Sequence, residues 1–228
     1  MKVHLLKKAA AEKAVEFVKS GMVVGLGTGS TAVFAIRKIG ELLKSGLLKD
    51  IAGIPTSNAT ELEAIQNEIP LTTFDKVQTI DLTIDGADEV DAGLNLIKGG
   101  GGALLREKII AQASLQNIIV VDESKISSVL GTKWALPVEV IKFAVEVEKK
   151  FLMSLGASVK LRLDDEAKPF VTDEGNWILD ANFGKIQKPY EIAAALESRA
   201  GIVEHGLFIG TTAKVVVASN NGIKILTN

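Results

Sequence analysis

The strongest constraint on the fold of this chain is an alternation of short apolar segments with helical stretches in its first half. Apolar, strand-like runs are predicted at 22–26, 51–55, 80–84 and 117–121, and stretches with helical spacing of apolar residues lie between them. Strands that alternate with helices form right-handed βαβ units, which build a parallel sheet. The sequence therefore predicts an α/β fold.

After residue 130 the pattern changes to that of a smaller α+β unit. Helices are predicted at 145–155 and 189–199 and strands at 157–163, 170–172 and 177–179, whereas 134–140 is interpreted as a crossing segment. Further short strands are predicted at 202–203, 207–209, 214–218 and 223–226, as candidates to rejoin the first sheet. We therefore expect one domain at 1–129 plus 204–228 and a second domain at 130–203.

Composition and charge exclude several classes of protein. The 228 residues are 47% hydrophobic and 24% charged, an ordinary globular balance, and the net charge of −2 argues against a nucleic-acid binder. The chain has no cysteine, which excludes thiol catalysis, disulfides and cysteine metal sites. No apolar run approaches the roughly 20 residues that span a bilayer, and lysines interrupt the N-terminal segment, unlike a signal peptide. We expect a cytoplasmic protein that binds no membrane.

Polar residues follow each of the four predicted parallel strands. They lie at 27–31, 56–58, 85–88 and 122–125. Ligands of open α/β sheets bind at the carboxyl ends of the strands. The sequence therefore predicts that these four loops form one ligand site.

The first of these loops, in the segment GLGTGST at 25–31, is suited to bind a phosphate. Gly29 lets the backbone approach a ligand closely, and the hydroxyls of Thr28, Ser30 and Thr31 can bind phosphate oxygens together with helix N–H groups. Ser30 stands where a dinucleotide fingerprint has its third glycine, and the lysine of a nucleotide P-loop is missing. A small phosphorylated ligand therefore fits better than NAD or ATP. The alternative is a plain tight turn.

Glu107 is the candidate general base. At about 100° per residue, its side of the predicted helix also carries the apolar residues Ala103, Leu104, Ile110 and Ala111. A carboxylate in an apolar stripe loses hydration, which raises its pKa toward neutrality, as a base working near pH 7 requires. The alternative is a salt-bridged glutamate on a solvated helix face.

The acidic turn after the strand at 80–84 has three interpretations. Its acids are Asp85, Asp88, Glu89 and Asp91. They could bind a metal, form a plain acidic turn, or face the hydroxyls of a sugar. Val90 occupies the invariant-glycine position of an EF-hand loop, and the only two histidines lie far apart in the sequence. We therefore expect no metal site.

Three lysines have a surface interpretation and a functional one. Lys98 precedes four glycines and Lys125 follows the strand at 117–121, and both are by default solvated. At the predicted ligand site they could instead neutralise an enediolate and a phosphate. Lys7 is by default a lysine on the surface of the first helix.

Several of these motifs together resemble ribose-5-phosphate isomerases of the A type. They are GLGTGST at 25–31, PTS at 55–57, DGADEVD at 85–91, IKGGGGALLREKII at 97–110, DESK at 122–125, LPVEV at 136–140 and VTDEGNWILD at 171–180. The resemblance runs from the first helix to the C-terminus. It implies a doubly wound, Rossmann-like sheet and a smaller α+β, ferredoxin-like domain that serves oligomerisation, in a homodimer or homotetramer.

The resemblance also implies an activity and roles for residues. The activity is the interconversion of ribose 5-phosphate and ribulose 5-phosphate in the pentose phosphate pathway, without a metal or another cofactor. Glu107 would move the proton between C1 and C2 through an enediolate, assisted by Asp85, Asp88 and Lys98. The substrate and its phosphate would be held by Thr28, Gly29, Ser30, Thr31, Lys125 and Lys7.

One departure and two alternatives accompany this resemblance. Gly100 stands where many relatives carry arginine, so the phosphate anchor is expected to be weaker if that arginine contacts the phosphate. A coenzyme A transferase of related architecture would use a glutamate as a covalent nucleophile. A sugar-phosphate-sensing module would require a DNA-binding segment, and the chain offers no basic stretch for one.

Overall fold

The computed structural model describes residues 2–227 and contains six α-helices in that range. They are α1 (Val3–Val15), α2 (Ala32–Lys44), α3 (Asn58–Gln66), α4 (Leu104–Gln112), α5 (Val145–Ser154) and α6 (Pro189–Glu197). Two short 3₁₀ helices lie at Glu123–Lys125 and Lys142–Ala144.

The strands of the described residues form three sheets. They are β1 (Val23–Leu26), β2 (Ala52–Pro55), β3 (Leu82–Gly86), β4 (Glu89–Val90), β5 (Leu96–Ile97), β6 (Asn117–Asp122), β7 (Leu136–Val140), β8 (Ser158–Leu161), β9 (Trp177–Asn182), β10 (Ile202–His205), β11 (Leu207–Phe208), β12 (Lys214–Ser219) and β13 (Gly222–Thr227). The chain divides into two compact units.

The first unit is built on a six-stranded sheet in the order β13-β12-β6-β3-β1-β2. It contains the residues up to Ala87, Arg106–Lys125 and the residues from Thr211 onward. All neighbouring strands are parallel except the hairpin β12–β13. The predicted α/β fold with a parallel sheet is therefore confirmed, and the last two predicted strands do rejoin it.

Helices cover both faces of this sheet. On one face, α1 and α2 bury apolar residues such as Ala10 and Ile36 against strand residues such as Leu82. On the other face, Ile110 of α4 packs with Ile54 and Ile80. Burial on both faces makes the strands nearly continuous apolar runs, as parallel sheets require.

The second unit contains Asp88–Leu105 and Ile126–Gly210. Its four-stranded antiparallel sheet has the order β10-β7-β9-β8, and a small three-stranded sheet has the order β11-β5-β4. Helices α5 and α6 contribute Leu152 and Leu196 to a core that also contains Val138 and Leu179 of the sheet. This is the separate α+β unit that the sequence predicted.

Details of the second unit differ from expectation. The segment interpreted as crossing contains β7, which lies inside the sheet despite Pro137. The proline is tolerated because β10 pairs only with residues 138–140, so no neighbouring strand requires an N–H from Pro137 on that side. Residues 170–172, predicted as a strand, form none.

The expected domain limits also differ from the compact units. Residues 88–105, 126–129 and 204–210 were assigned to the first domain but group with the second unit. The reason is that β4, β5 and β11 pair with one another in a sheet of their own, whereas the six-stranded sheet holds none of them.

Among residues 2–227, no helix has both the length and the apolar character to cross a bilayer.

Candidate active site

Asp85 is fixed in the first unit, one residue before the end of β3. Its side chain is 3% exposed, and Oδ1 accepts hydrogen bonds from the N–H groups of Gly86 at 2.7 Å and Thr28 at 3.1 Å. A Cβ atom at Gly27 would lie 2.3 Å from this oxygen. Only glycine at position 27 therefore lets the first loop approach the carboxylate this closely.

The Thr28 hydroxyl lies in a cluster of hydroxyl groups. It is 2.7 Å from the hydroxyl of Thr56, 2.8 Å from that of Ser57 and 3.0 Å from that of Thr60. Ser57 caps helix α3 by accepting from the Thr60 N–H. These contacts, with the N–H bond to Asp85, use the polar groups of Thr28 internally, so Thr28 connects the ends of β1, β2 and β3.

The rest of the first loop is open to a ligand. Gly29 adopts a φ of 104°, which favours glycine, and Ser30 is exposed at the start of α2. Lys7 Nζ donates to Ser30 Oγ at 2.8 Å, so a cation that sequence reasoning placed on the helix surface lies at the loop. Thr31 occupies the N-cap position of α2 without using its side chain as a cap.

A cavity of about 290 Å³ adjoins this loop within the first unit. Its lining combines Gly27, Gly29 and Ser30 of the loop with Ala59 and Thr60 of α3. The fourth predicted loop ends in the 3₁₀ helix that carries Lys125, which is half-buried. The loop supplies backbone N–H groups and hydroxyls beside the cavity, and Lys7 supplies a cation. These are the groups that bind phosphate.

Glu107 lies in the first turn of α4 and is 5% exposed. Its apolar neighbours on the helix face are buried as well, with Leu104 at 0% and Ile110 at 2% exposure. The interpretation as a solvated glutamate is therefore wrong. Arg106, next to it, donates a hydrogen bond to Asn58 Oδ1 at 2.8 Å.

Asp88 and Lys98 belong to the second unit. Asp88 Oδ2 accepts from the Gly100 N–H at 2.7 Å. Lys98 is 3% exposed, and its Nζ lies 5.5 Å from the centre of the Phe208 ring. A lysine is almost never this buried on a solvated surface, so the default interpretation of Lys98 is wrong.

Gly100, which stands where the resemblance leads us to expect an arginine, lies directly against Asp88. A Cβ atom there would be 2.7 Å from Asp88 Oδ1 and 2.9 Å from Oδ2. An arginine at this position would require Asp88 to move. The glycine and the short hydrogen bond to Asp88 therefore occur together in this chain.

Comparisons with known proteins agree with this arrangement. The family model for ribose 5-phosphate isomerase A (phosphoriboisomerase A) matches residues 52–222. The chain belongs to this family. A relative from Desulfatibacillum aliphaticivorans, named ribose-5-phosphate isomerase A, is 62% identical over 96% of this chain and 95% of its own length.

Solved structures of this family have the same fold as the chain. A D-ribose-5-phosphate isomerase in complex with phospho-erythronic acid superposes with a TM-score of 0.98 at 41% identity, over 100% of both chains. The ribose 5-phosphate isomerase from Plasmodium falciparum gives a TM-score of 0.95 at 42% identity, over 99% of both chains. The full-length agreement confirms the resemblance and the fold class, and it does not favour the coenzyme A transferase or sensor alternatives.

Each of the two units of the chain brings some predicted site residues together. In the first, Asp85 contacts Thr28, and Lys7 contacts Ser30. In the second, Asp88 contacts the glycine segment after Lys98. The chain connects the two sets, because Asp88 follows Asp85 by three residues and Glu107 follows Lys98 by nine.

Within residues 2–227, no group of three histidines or acids is placed to hold a metal ion.

Sequence reasoning missed two residues that contact this segment of the second unit. Phe208 lies over Lys98, and Arg162 donates to the carbonyl oxygens of Gly99 and Gly100. Both lie more than 60 residues from their partners in the chain, and neither stands in a recognisable motif. Only information about which residues touch in the folded chain could have identified Phe208 and Arg162.

Proposed function

We propose that this chain interconverts D-ribose 5-phosphate and D-ribulose 5-phosphate through an enediolate, in the non-oxidative pentose phosphate pathway. The observation that carries the proposal is the buried Glu107 carboxylate among apolar neighbours in the first turn of α4. A base in such an environment is less hydrated than in water, so it accepts a carbon-bound proton more readily near pH 7. The family membership supports the same reaction.

In the proposed mechanism, Glu107 removes the proton on C2 of the open-chain aldose. The electrons of the C2–H bond form the C1=C2 double bond, and the negative charge moves to O1. The O2 proton is lost and O1 gains a proton. Glu107 then returns its proton to C1, which gives the ketose. No electron leaves the substrate, so the reaction is an internal redox exchange between C1 and C2.

The other polar groups have supporting roles in this proposal. Lys98 offsets the negative charge that develops on the oxygen, an effect that is strong for a cation with 3% exposure. Asp85 and Asp88 accept and return protons of the sugar hydroxyls and assist ring opening. Both carboxylates are already oriented by backbone N–H groups, which reduces the reorganisation needed during the reaction.

The phosphate is proposed to bind at the first loop. Gly29, Ser30 and Thr31 offer N–H groups and hydroxyls at the start of α2, and Lys7 and Lys125 supply positive charge. Thr28 is proposed to act mainly by holding the loop, because its polar groups already have partners. We propose neither a metal nor a cofactor for the reaction, since proton transfer between adjacent carbons requires neither.

A coupled assay tests the reaction directly. Purified protein should convert ribose 5-phosphate to ribulose 5-phosphate in the presence of a chelator. Glu107→Gln should keep the fold and ligand binding while losing at least the roughly 10²–10⁴-fold that general-base catalysis contributes. Near-normal turnover by this variant would remove Glu107 from its role, and no product from the wild-type protein would contradict the function.

We further propose that the chain forms a homodimer or homotetramer through its second unit. Phe143 is 96% exposed and Val147 is 59% exposed, in adjacent 3₁₀ and α-helical segments. Exposed apolar groups of this size are typical of interaction surfaces. Phe143→Ser should lower the mass measured by light scattering, whereas Leu47→Ser, at an exposed apolar position of the first unit, should not. An unchanged mass for both variants would contradict this interface.

We propose a cytoplasmic location, as expected from the sequence. The absence of cysteine is compatible with a reducing compartment. Fractionation of cells that express the tagged chain tests the location, and recovery in a membrane or secreted fraction would contradict it.

A further inference from the structure

The segment after Lys98 needs support from elsewhere in the chain to hold one conformation. It consists of four glycines, which lose more backbone freedom on folding than any other residue. Gly99 and Gly102 have φ values of 92° and 83°, and a Cβ atom at Gly101 would have no neighbour within 4 Å. Side-chain packing of the segment itself therefore contributes little to its position.

Arg162, which follows β8, provides such support. Its Nη1 donates to the carbonyl oxygens of Gly99 at 2.8 Å and Gly100 at 3.0 Å. Its Nε donates to Asp180 Oδ2 at 3.0 Å, and its Nη2 donates to Oδ1 of the same carboxylate. The side chain is 13% exposed. A bidentate pair with Asp180 thus fixes the guanidinium, which in turn fixes two carbonyl groups.

One peptide group connects Arg162 with Asp88. The carbonyl of Gly99 and the N–H of Gly100 belong to the same planar peptide group. The carbonyl accepts from Arg162 at 2.8 Å, and the N–H donates to Asp88 Oδ2 at 2.7 Å. Hydrogen bonds in such a chain polarise and strengthen one another. The guanidinium therefore both orients the donor of Asp88 and increases its strength.

Phe170 holds the other end of the same segment. A Cβ atom at Gly102 would lie 2.4 Å from the Phe170 ring, so the ring packs directly on this glycine. The guanidinium carbon of Arg162 lies 6.0 Å from the centre of that ring. The segment is thus contacted at Gly99, Gly100 and Gly102 by two side chains that also contact each other.

We propose that Arg162 is a positioning residue for the isomerase reaction. It acts through the Gly99–Gly100 peptide, which sets the orientation of the Asp88 carboxylate and of the backbone that follows Lys98. The proposal rests on the function proposed above for Asp88 and Lys98. Lysine cannot replace Arg162, because a single ammonium group does not match the fork of donors that binds a carboxylate and two carbonyls together.

The second unit offers a matched control for this proposal. Arg199 forms the same kind of bidentate pair with Glu148, through Nε at 2.9 Å and Nη2 at 3.2 Å. It also lies over an aromatic ring, that of Phe151, at 4.6 Å. The glycine segment is not among the contacts of Arg199. Arg162→Lys and Arg199→Lys therefore both replace a bidentate arginine pair in the second unit by a single ammonium group, but only the first removes support from the segment.

Two measurements distinguish positioning from stability. At a temperature at which both variants are folded, Arg162→Lys should lower kcat by about 10²-fold, the cost typical of a misplaced catalytic group, with a smaller change in KM. Arg199→Lys should keep the wild-type kcat. In Arg162→Lys, the amide hydrogen exchange of Gly100 and Gly102 should be faster than in the wild type, and in Arg199→Lys it should be unchanged.

Chemical rescue provides a second test of the same proposal. Added guanidinium ion, well below denaturing concentration, should restore part of kcat in Arg162→Ala and have no effect on Arg199→Ala. Equal kcat and equal glycine exchange in both lysine variants would overturn the proposal. An inactive wild-type protein would overturn the proposed function instead, while the exchange rates would still decide whether Arg162 holds the segment.

Discussion

Two regions of the second unit each bury a glutamate, and they differ in the number of hydrogen-bond donors around it. Glu89 in β4 is 0% exposed, and its two oxygens accept from four backbone N–H groups, those of Gly131, Thr132, Lys133 and Trp134, at 2.9–3.2 Å. Glu139 in β7 is 1% exposed, and its Oε1 accepts hydrogen bonds from the Thr172 hydroxyl at 2.8 Å and the Asn176 amide at 3.0 Å.

The difference is visible in the pKa of Glu139. Burial raises this pKa above its usual 4.5, and the hydrogen bonds from Asn176 and Thr172 offset only part of the increase. Its Oε2 has no hydrogen-bond partner among residues 2–227. At Glu139, burial with few hydrogen-bond donors therefore raises the pKa of the carboxyl.

The largest effect on stability is expected at Glu89. Glu89→Gln leaves one carbonyl oxygen for four N–H groups, and an oxygen accepts about two hydrogen bonds. Since each buried donor without a partner costs about 1–3 kcal/mol, the free energy of unfolding should fall by about 3 kcal/mol. Urea denaturation at pH 7 measures this change. A loss no larger than that of Glu16→Gln, an exposed control at the C-cap of α1, would show that the four N–H groups do not require the charge.

At Glu107 the expected effect is on turnover and not on stability. Glu107→Asp keeps the carboxylate but withdraws it by about one C–C bond, roughly 1.5 Å. Misplacement of a catalytic group on this scale costs about 10²-fold, so kcat should fall by that factor while the melting temperature changes little. Glu61→Asp, on the exposed first turn of α3, is the control. Equal kcat in both variants would mean that the position of the Glu107 carboxylate is unimportant.

Sequence reasoning succeeded where a property is local. Helix α2 has the predicted bounds of Ala32–Lys44, and β1 and β6 differ from prediction by one residue. The apolar stripe beside Glu107 also predicted its burial, because helical periodicity places Leu104 and Ile110 on the same face. Such features depend on residues within a few turns of each other.

Properties that depend on distant contacts could not be predicted in the same way. β3 ends at Gly86, so Asp85 lies within the strand and not after it. The reason is its pairing with β6 through Gly86 and Val120, which the sequence does not reveal. Likewise, the hydroxyls around Thr28 come from residues 56–60, which no local sequence pattern reveals. The partners of a polar group decide its role, and they are often remote.

Glu139 should make stability depend on pH in a defined direction. Its folded-state pKa is raised, so below pH 4.5 the carboxyl is protonated in both states and carries no penalty. As the pH rises from 4.5 through the folded-state pKa, the unfolded state ionises first, and the free energy of unfolding falls. Glu139→Gln removes this dependence. It should have about wild-type stability at pH 4.5 and become more stable than wild type as the pH rises toward 8.

Denaturation at both pH values measures this difference. A constant difference between Glu139→Gln and wild type from pH 4.5 to pH 8 would mean that Glu139 titrates as in the unfolded chain. Glu89→Gln, by contrast, should stay destabilised at pH 8, because four backbone N–H groups then share a single acceptor oxygen. The two variants thus test whether donor number determines the sign of the effect.

The smallest effect is expected at Glu63 in the first unit, where the sign is reversed. A hydrogen bond from Arg37 Nε at 2.7 Å, with the charge of the guanidinium, lowers the pKa of Glu63. Its contribution to stability is therefore present above pH 4.5 and is lost as the pH falls through the lowered folded-state pKa. The Arg37 side chain is 53% exposed, so solvent and salt screen the pair.

Glu63→Gln should for this reason cost only about 0.5 kcal/mol at pH 7, within the range of exposed ion pairs. The cost should decrease toward pH 3, and it should also decrease in 1 M salt, where the Debye length is about 3 Å. Glu139→Gln should be less sensitive to the same salt, because the largest cause of the Glu139 pKa shift is burial, and the charges of Glu174 and Glu204 contribute least. A salt dependence of equal size at both positions would contradict the distinction between a carboxyl controlled by desolvation and one controlled by a neighbouring charge.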